Sequence, residues 1–262
     1  MLPFPAIDPV IFSIGPLQVR WYGMMYILGF LASYLLVRLQ LRRQKPPVMD
    51  KDRVDDLYFY LMVGLILGAR LGYVFFYNFK TYLSHPFEIA AFWQGGMSFH
   101  GGLIGAFLSA WFFSRRYRVK LWTLGDLIIV TAPIGLGLGR LGNFINGELY
   151  GRITTLPWGM VFPLGGPLPR HPSQLFEAFL EGVVLFCWLW WRKGGNKTSG
   201  GMVARFLMGY GIFRIIVEFF REPDPQIGFL FNFFTLGQFL SCAMVLLGLF
   251  LFYARRSRVS SL

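Results

Sequence analysis

DDLYFYLMVGLILGARLGYVFFY, residues 55–77, decides the fold. Two aspartates open it, and beyond them Arg70 is its one charged side chain. A helix needs about 20 apolar residues to cross the ~30 Å hydrocarbon core of a bilayer, so this stretch reads as a transmembrane helix. Gly64, Gly68 and Gly72 recur at every fourth residue. That spacing sets small residues on one helix face, and close packing against another helix is its simplest use.

The same reading extends to 18–37, 98–114, 121–143, 173–191, 201–220 and 234–253, giving seven spans in all. Gly135 and Gly139 repeat the four-residue spacing within 121–143. The chain of 262 residues is 55% apolar, more than an ordinary soluble domain carries. The expected fold is all-α and integral to the membrane: residues 1–262 form a single polytopic domain of seven transmembrane helices. The longest linker on the outer side, about 144–172, is rich in Gly and Pro and reads as a structured loop, a small outer-facing head region.

Charge sets the orientation. Arg38, Arg42, Arg43, Lys45, Lys51 and Arg53 follow the first span, and Arg115, Arg116, Arg118 and Lys120 follow the third. Arg192, Lys193 and Lys197 follow the fifth, and Arg255, Arg256 and Arg258 the last. The opposite side holds Arg20, Lys80, Arg152, Arg170 and Arg221. The richer set belongs in the cytoplasm, which puts the N-terminus outside and the C-terminus inside. The net charge of +12 then describes loops beside anionic lipid, not a nucleic-acid surface. Cys187 and Cys242 lie in apolar runs without ligand spacing, so neither a disulfide framework nor a zinc site is expected. Residues 1–16 lack a basic n-region and a small-residue cleavage site, so no cleaved signal peptide is expected. Trp93, Trp111, Trp122 and Trp158 read as interface anchors.

Four arginines fall within spans: Arg70, Arg140, Arg205 and Arg214. Arg205 sits near a cytoplasmic end and can snorkel. A central arginine costs roughly 2.5–3.5 kcal/mol on insertion scales, so the others need partners. At ~1.5 Å per residue, Arg70, Arg140, Arg214, His100, Tyr22 and Glu177 all fall in the outer half of the membrane, which suggests a polar cavity there. Arg214 and Glu218 at i,i+4, and Glu218 and Arg221 at i,i+3, can pair within a helix. Arg70 is left Glu148, Glu177 or Glu218. The outer-half carboxylates look too few for Arg70, Arg140, Arg214 and Arg221, and a phosphate would complete the balance, because guanidinium binds it bidentately. His100 opens a helix, where a neutral imidazole can accept a thiol proton. A histidine held for structure would read the same way.

Five stretches make a pattern: WYG (21–23), GGMSFHGGL (95–103), GRLGNFINGE (139–148), RHPSQ (170–174), and GYGIFR (209–214) with Phe220-Arg221. Their residues and order resemble the prolipoprotein diacylglyceryl transferase family over nearly the whole chain. Arg20 departs from the histidine found before WYG in some members, and the loop between Arg152 and Arg170 is shorter than in some.

The resemblance implies a multi-pass enzyme of the bacterial inner (cytoplasmic) membrane with its active site on the periplasmic side. It would move the diacylglyceryl group of phosphatidylglycerol to the lipobox cysteine of a prolipoprotein signal peptide and release glycerol 1-phosphate. Phosphatidylglycerol, the prolipoprotein and membrane lipid are the expected partners, with no nucleic acid, metal or soluble cofactor. His100, Arg140 and Arg214 take the catalytic roles by this resemblance, and Tyr22, Asn143 and Glu148 contact the head group. Arg70, Asn146, Gly151, His171, Tyr210, Glu218 and Arg221 complete the candidate substrate contacts. The base is His100, Tyr22 or a water network. The other classes of reading are an anionic-lipid or small-anion transporter using the same arginines, and a lipid-binding scaffold. An inverted repeat would favour transport, and none is visible.

Overall fold

The computed structural model describes residues 2–15, 17–44, 47–91, 95–195, 198–222, 229–230 and 234–257. Lys45, Trp93, Lys197 and Arg258, used above for orientation and anchoring, lie outside the described residues. A hairpin of β1 (Val10–Ile14) and β2 (Leu17–Arg20) leads into α1 (Trp21–Arg43). Then come α2 (Asp52–Phe76), α3 (Phe79–Ser84), a 3₁₀ turn at Pro86–Ala90, and α4 (Phe99–Tyr117). The next helices are α5 (Leu121–Ile129), α6 (Ala132–Ile145) and α7 (Ser173–Glu177), which runs through a π-helical stretch at Ala178–Val184 into α8 (Leu185–Arg192). α9 (Gly201–Glu218), a two-residue pair of strands, β3 (Phe229–Leu230) with β4 (Phe234–Thr235), and α10 (Leu236–Ser257) are the last of the described elements. The fold is mostly helical, and among the described residues the two short antiparallel strand pairs are additions to the all-α expectation.

Among the described residues, four helices are long and apolar enough to cross a membrane: Trp21–Arg43, Asp52–Phe76, Ser173–Gly195 and Leu236–Arg255. α5 and α6, bent by 47° at their junction, make a fifth if taken as one span. The sequence reading ran 121–143 as a single apolar span. The break has a local cause: Pro133 brings no amide hydrogen to the second position of α6 and so cannot continue the ladder of α5. Thr131 covers the gap, donating to the carbonyl of Ile128 at 2.7 Å and sharing a hydrogen bond with Ser33 at 2.6 Å. The stretches 98–114 and 201–220 are also helical, as α4 and α9. They fall short on composition because α4 carries His100, Arg115 and Arg116, and α9 carries Arg205, Arg214 and Glu218.

The chain divides into two compact units, Arg38–Leu124 and Met1–Val37 with Gly125–Leu262. In the unit Arg38–Leu124, α2 packs along α4 through the glycine stripe. A Cβ on Gly72 would come 2.7 Å from Gly101 Cα, and one on Gly68 2.8 Å from Gly105 Cα. The expectation of close packing there holds. In the other unit the expectation holds for Gly135, whose Cα would lie 2.9 Å from a Cβ on Gly29 of α1, while a Cβ on Gly139 would meet nothing within 4 Å. A second tight crossing runs through Gly137 and Gly182, where a Cβ would lie 2.8–3.1 Å from the opposing Cα. That contact presses α6 onto the π-helical stretch.

Asp126 on α5 caps α9 from outside. Its Oδ1 accepts from the amides of Met202 (2.8 Å) and Val203 (3.0 Å), and its Oδ2 from Gly200 (2.7 Å). These are donors that a helix start leaves without intrahelical partners. Asp126→Ala is expected to lower stability by about 1–3 kcal/mol, read as a lower thermal midpoint in detergent. Asp126→Asn should recover part of the loss, since it keeps one acceptor oxygen.

Candidate active site

In the unit formed by Met1–Val37 and Gly125–Leu262, charges gather around one side chain. Glu177, at the end of α7 and 1% exposed, faces three guanidiniums. Arg140 of α6 reaches its Oε2. Arg214 of α9 lies 3.2 Å and Arg221 3.6 Å from its Oε1. Glu181, one helical turn later and also 1% exposed, stands 3.8 Å from Arg214, and Glu218 completes the set at 2.9 Å. The last is the i,i+4 pair expected from the spacing on α9.

This arrangement corrects the charge balance read from sequence. Three carboxylates, Glu177, Glu181 and Glu218, stand among Arg140, Arg214 and Arg221, where the sequence reading counted too few. The sequence placed Glu177 in the outer-half polar cavity as a possible partner of Arg70, and gave Glu181 no role. A carboxylate in the middle of the apolar run 173–191 is the same signal as a central arginine, and it marks this site. The π-helical stretch Ala178–Val184 carries Glu181; such widened turns recur at functional sites. Single removal of one member of a buried ion cluster is costly because its partners keep their desolvation penalty.

Beside the cluster, the stretch 139–148 folds back on itself. Arg140 points a nitrogen at Asn143 Oδ1 (3.5 Å), while Asn143 and Asn146 donate to Glu148 Oε1 at 2.9 and 3.0 Å. Gln174 donates to the Glu148 carbonyl at 2.5 Å and Ser173 to the Leu149 carbonyl at 3.1 Å, so RHPSQ secures the turn that ends α6. Tyr22 of α1 packs on Gly142, where a Cβ would come within 3.0 Å of its ring. Its hydroxyl lies 3.0 Å from that of Tyr26, a neighbour the sequence reading did not pick out. Tyr210 precedes Arg214 by one turn of α9 and stacks on Phe206.

The loop after α6 is structured, as its composition suggested, and is fastened to the end of α9. Gly151 bridges to Arg221 and donates its amide to the His171 carbonyl at 2.8 Å. A Cβ there would collide with the Phe220 carbonyl and stand 2.8 Å from His171 Cβ, which is why this position is glycine. Arg152 donates to the Arg221 carbonyl at 2.8 Å. His171 is buried, and its Nδ1 accepts from the Trp158 indole at 3.0 Å, so Trp158 has an internal partner beyond any anchoring role.

Burial pushes the His171 imidazole below the ordinary histidine range, which favours the neutral form that this hydrogen bond requires. The unfolded chain therefore binds the proton more readily, and stability falls as pH drops through 6.5. The expected result is a thermal midpoint that declines on acidification, with a shallower decline in His171→Asn.

Arg70 and His100 belong to the unit Arg38–Leu124. Arg70, 1% exposed, donates from Nε to Ile89 O (2.9 Å), from Nη2 to Glu88 O (2.6 Å), and from Nη1 to Gly95 O (2.5 Å) and Gly96 O (3.2 Å). A carboxylate was expected here, and carbonyl oxygens of the segment before α4 take its donors. His100 is exposed on the first turn of α4, which Ser98 caps by accepting from the Gly101 amide at 3.2 Å, and its ring meets Phe99 edge-on.

Comparison with known proteins agrees with the family resemblance of the sequence. The family model described as prolipoprotein diacylglyceryl transferase matches residues 9–254. Proteins named phosphatidylglycerol–prolipoprotein diacylglyceryl transferase are similar over almost the full length of both chains. The one from Desulfotalea psychrophila is 51% identical over 257 residues, covering 96% of this chain and 94% of its own. Those from Rhodospirillum rubrum (53% over 262 residues, 98% and 96%) and Bordetella avium (54% over 260 residues, 98% of each) are similar to the same extent.

Proposed function

The chain is a multi-pass membrane protein that belongs to the prolipoprotein diacylglyceryl transferase family, and on that premise we propose that it moves the diacylglyceryl group of phosphatidylglycerol onto the lipobox cysteine of a prolipoprotein. The products are a thioether-linked diacylglyceryl prolipoprotein and glycerol 1-phosphate. The observation that carries the proposal is the pair of guanidiniums, Arg140 and Arg214, drawn to opposite oxygens of the buried Glu177. A carboxylate and a phosphate offer similar paired oxygens to a guanidinium. Glu177 thus holds the two arginines at a spacing that the lipid phosphate can take over.

The chemistry follows from charge. The acceptor cysteine reacts as its thiolate. Its sulfur attacks the glyceryl carbon that bears the phosphate, a C–S bond forms, and the C–O bond to phosphate breaks with its electrons on oxygen. Arg140 and Arg214 stabilise the charge that grows on the leaving glycerol phosphate. Asn143, Asn146 and Glu148 orient the glycerol hydroxyls, with Tyr22 beside them. Gly151, His171, Tyr210, Glu218 and Arg221 hold this constellation in place. The thiol proton goes to His100, with Tyr22 or water as the other acceptors; a thiol of pKa near 8.5 needs only modest help. Arg70 shapes the segment before α4.

The proposed setting is the bacterial inner membrane, crossed seven times, with the N-terminus and the loop 144–172 on the periplasmic side. Purified protein in detergent, given phosphatidylglycerol and a synthetic lipobox peptide, should add a diacylglyceryl mass to the peptide and release glycerol phosphate. The gain must disappear when the peptide cysteine is replaced by serine. Folded protein that binds phosphatidylglycerol but leaves the peptide unchanged would turn the reading to transport or scaffolding.

A further inference from the structure

We propose that Gly237, at the start of α10, is a positioning residue for Arg214. The inference rests on the phosphate-binding role given to Arg214 above. The first turn of α10 is fixed: the Thr235 amide donates to Gln238 Oε1 at 3.1 Å and the Gln238 amide to Thr235 Oγ1 at 3.2 Å, a reciprocal capping box. Ser241 donates to the Gly237 carbonyl at 2.7 Å. Glu218 of α9 lays its carboxylate directly over this turn. A Cβ on Gly237 would come 2.6 Å from Glu218 Oε1, 2.7 Å from Cδ and 2.8 Å from Oε2. Oε2 is the atom that meets Arg214 Nη2 at 2.9 Å. The missing side chain leaves the space in which Glu218 reaches Arg214, and the positive end of the α10 dipole favours the carboxylate there.

The consequence is specific. What a Cβ would strike is the free end of a flexible side chain, so the carboxylate can swing away at little packing cost. What it loses by swinging is Arg214. Elsewhere in the same helix pair the situation is reversed: a Cβ on Gly248 would strike Met208 Cγ at 2.7 Å, the Ala204 carbonyl at 2.9 Å and the Met208 amide at 3.0 Å. Gly248→Ala therefore presses on backbone and cannot relax by a side-chain rotation, yet it touches no member of the arginine–glutamate cluster.

The test is a double-mutant cycle on the full-length protein in detergent, with phosphatidylglycerol varied at saturating lipobox peptide. Gly237→Ala is expected to lower kcat/KM about tenfold, the scale of one charge-assisted hydrogen bond, and to lower the thermal midpoint as the buried Glu218–Arg214 pair opens. In the Glu218→Asp background, where the carboxylate is one methylene shorter and clears the new methyl, it should cost less than about twofold. Gly248→Ala should lower the midpoint and leave kcat/KM unchanged. The rise in thermal midpoint on adding phosphatidylglycerol micelles follows the same cycle and needs no turnover. It judges the positioning role even if wild type transfers nothing, an outcome that would overturn the proposed activity alone. Equal losses from Gly237→Ala in both backgrounds, no loss in either, or failure of Gly237→Ala to fold where Gly248→Ala folds would each overturn the positioning role.

Discussion

Arg140→Ala is expected to lower kcat/KM for diacylglyceryl transfer by about 10³-fold, the upper end of what removal of one preorganised donor to a developing oxyanion costs. The variant should remain folded. Arg140 is the most exposed of the three clustered guanidiniums, and its removal leaves Glu177 with Arg214 and Arg221. Arg214→Ala is a poorer test, because Arg214 touches Glu177, Glu181 and Glu218 and its loss strips all three buried carboxylates of a partner. Arg140→Lys should recover little activity, since an ammonium offers a point charge where a planar fork is needed. Transfer to a lipobox peptide, measured beside the thermal midpoint, checks both halves. A folded Arg140→Ala variant with wild-type turnover would sink the phosphate clamp.

Glu177→Ala is expected to give the largest loss of stability of any single change at the site, about 3–5 kcal/mol, because it leaves Arg140, Arg214 and Arg221 buried around an empty position. Glu177→Gln keeps the volume and one acceptor oxygen but leaves an uncompensated positive charge, so it should fall between wild type and Glu177→Ala. Phosphatidylglycerol should narrow these gaps, since its phosphate supplies the missing anion and a ligand that binds only the folded state stabilises it. The measurement is the thermal midpoint of each variant with and without the lipid. Equal midpoints for wild type and Glu177→Ala would show that the three arginines draw their compensation from somewhere else.

Much of this was legible in the sequence, for reasons that differ from residue to residue. The run 55–77 could hardly be anything but a membrane helix, and its glycine stripe packs as the spacing requires, because the contact is a property of one helix face. The pair Arg214–Glu218 was readable for the same reason: both partners lie on α9. Contacts that join distant segments were not. Nothing in the spacing of Gly135 and Gly139 says that a second close crossing runs through Gly137, whose partner Gly182 lies far along the chain. The donors of Arg70 meet carbonyl oxygens, which every residue has and no motif marks. The bend before α6 could have been found from Pro133, but hydropathy over 121–143 is continuous and hides it. Glu181 could have been found as well, had carboxylates in apolar runs been weighed as arginines were. The register of the loop 149–171 on the end of α9 depends on Gly151 and Arg152 meeting backbone, a match of shape that composition does not encode.

The most direct test of the account is a structure of the protein with phosphatidylglycerol bound. The lipid phosphate should lie between Arg140 and Arg214, with oxygen-to-nitrogen distances of about 2.7–2.9 Å to both, and Glu177 should have withdrawn from Arg140. A phosphate bound elsewhere, with Arg140 and Arg214 still joined through Glu177, would contradict it.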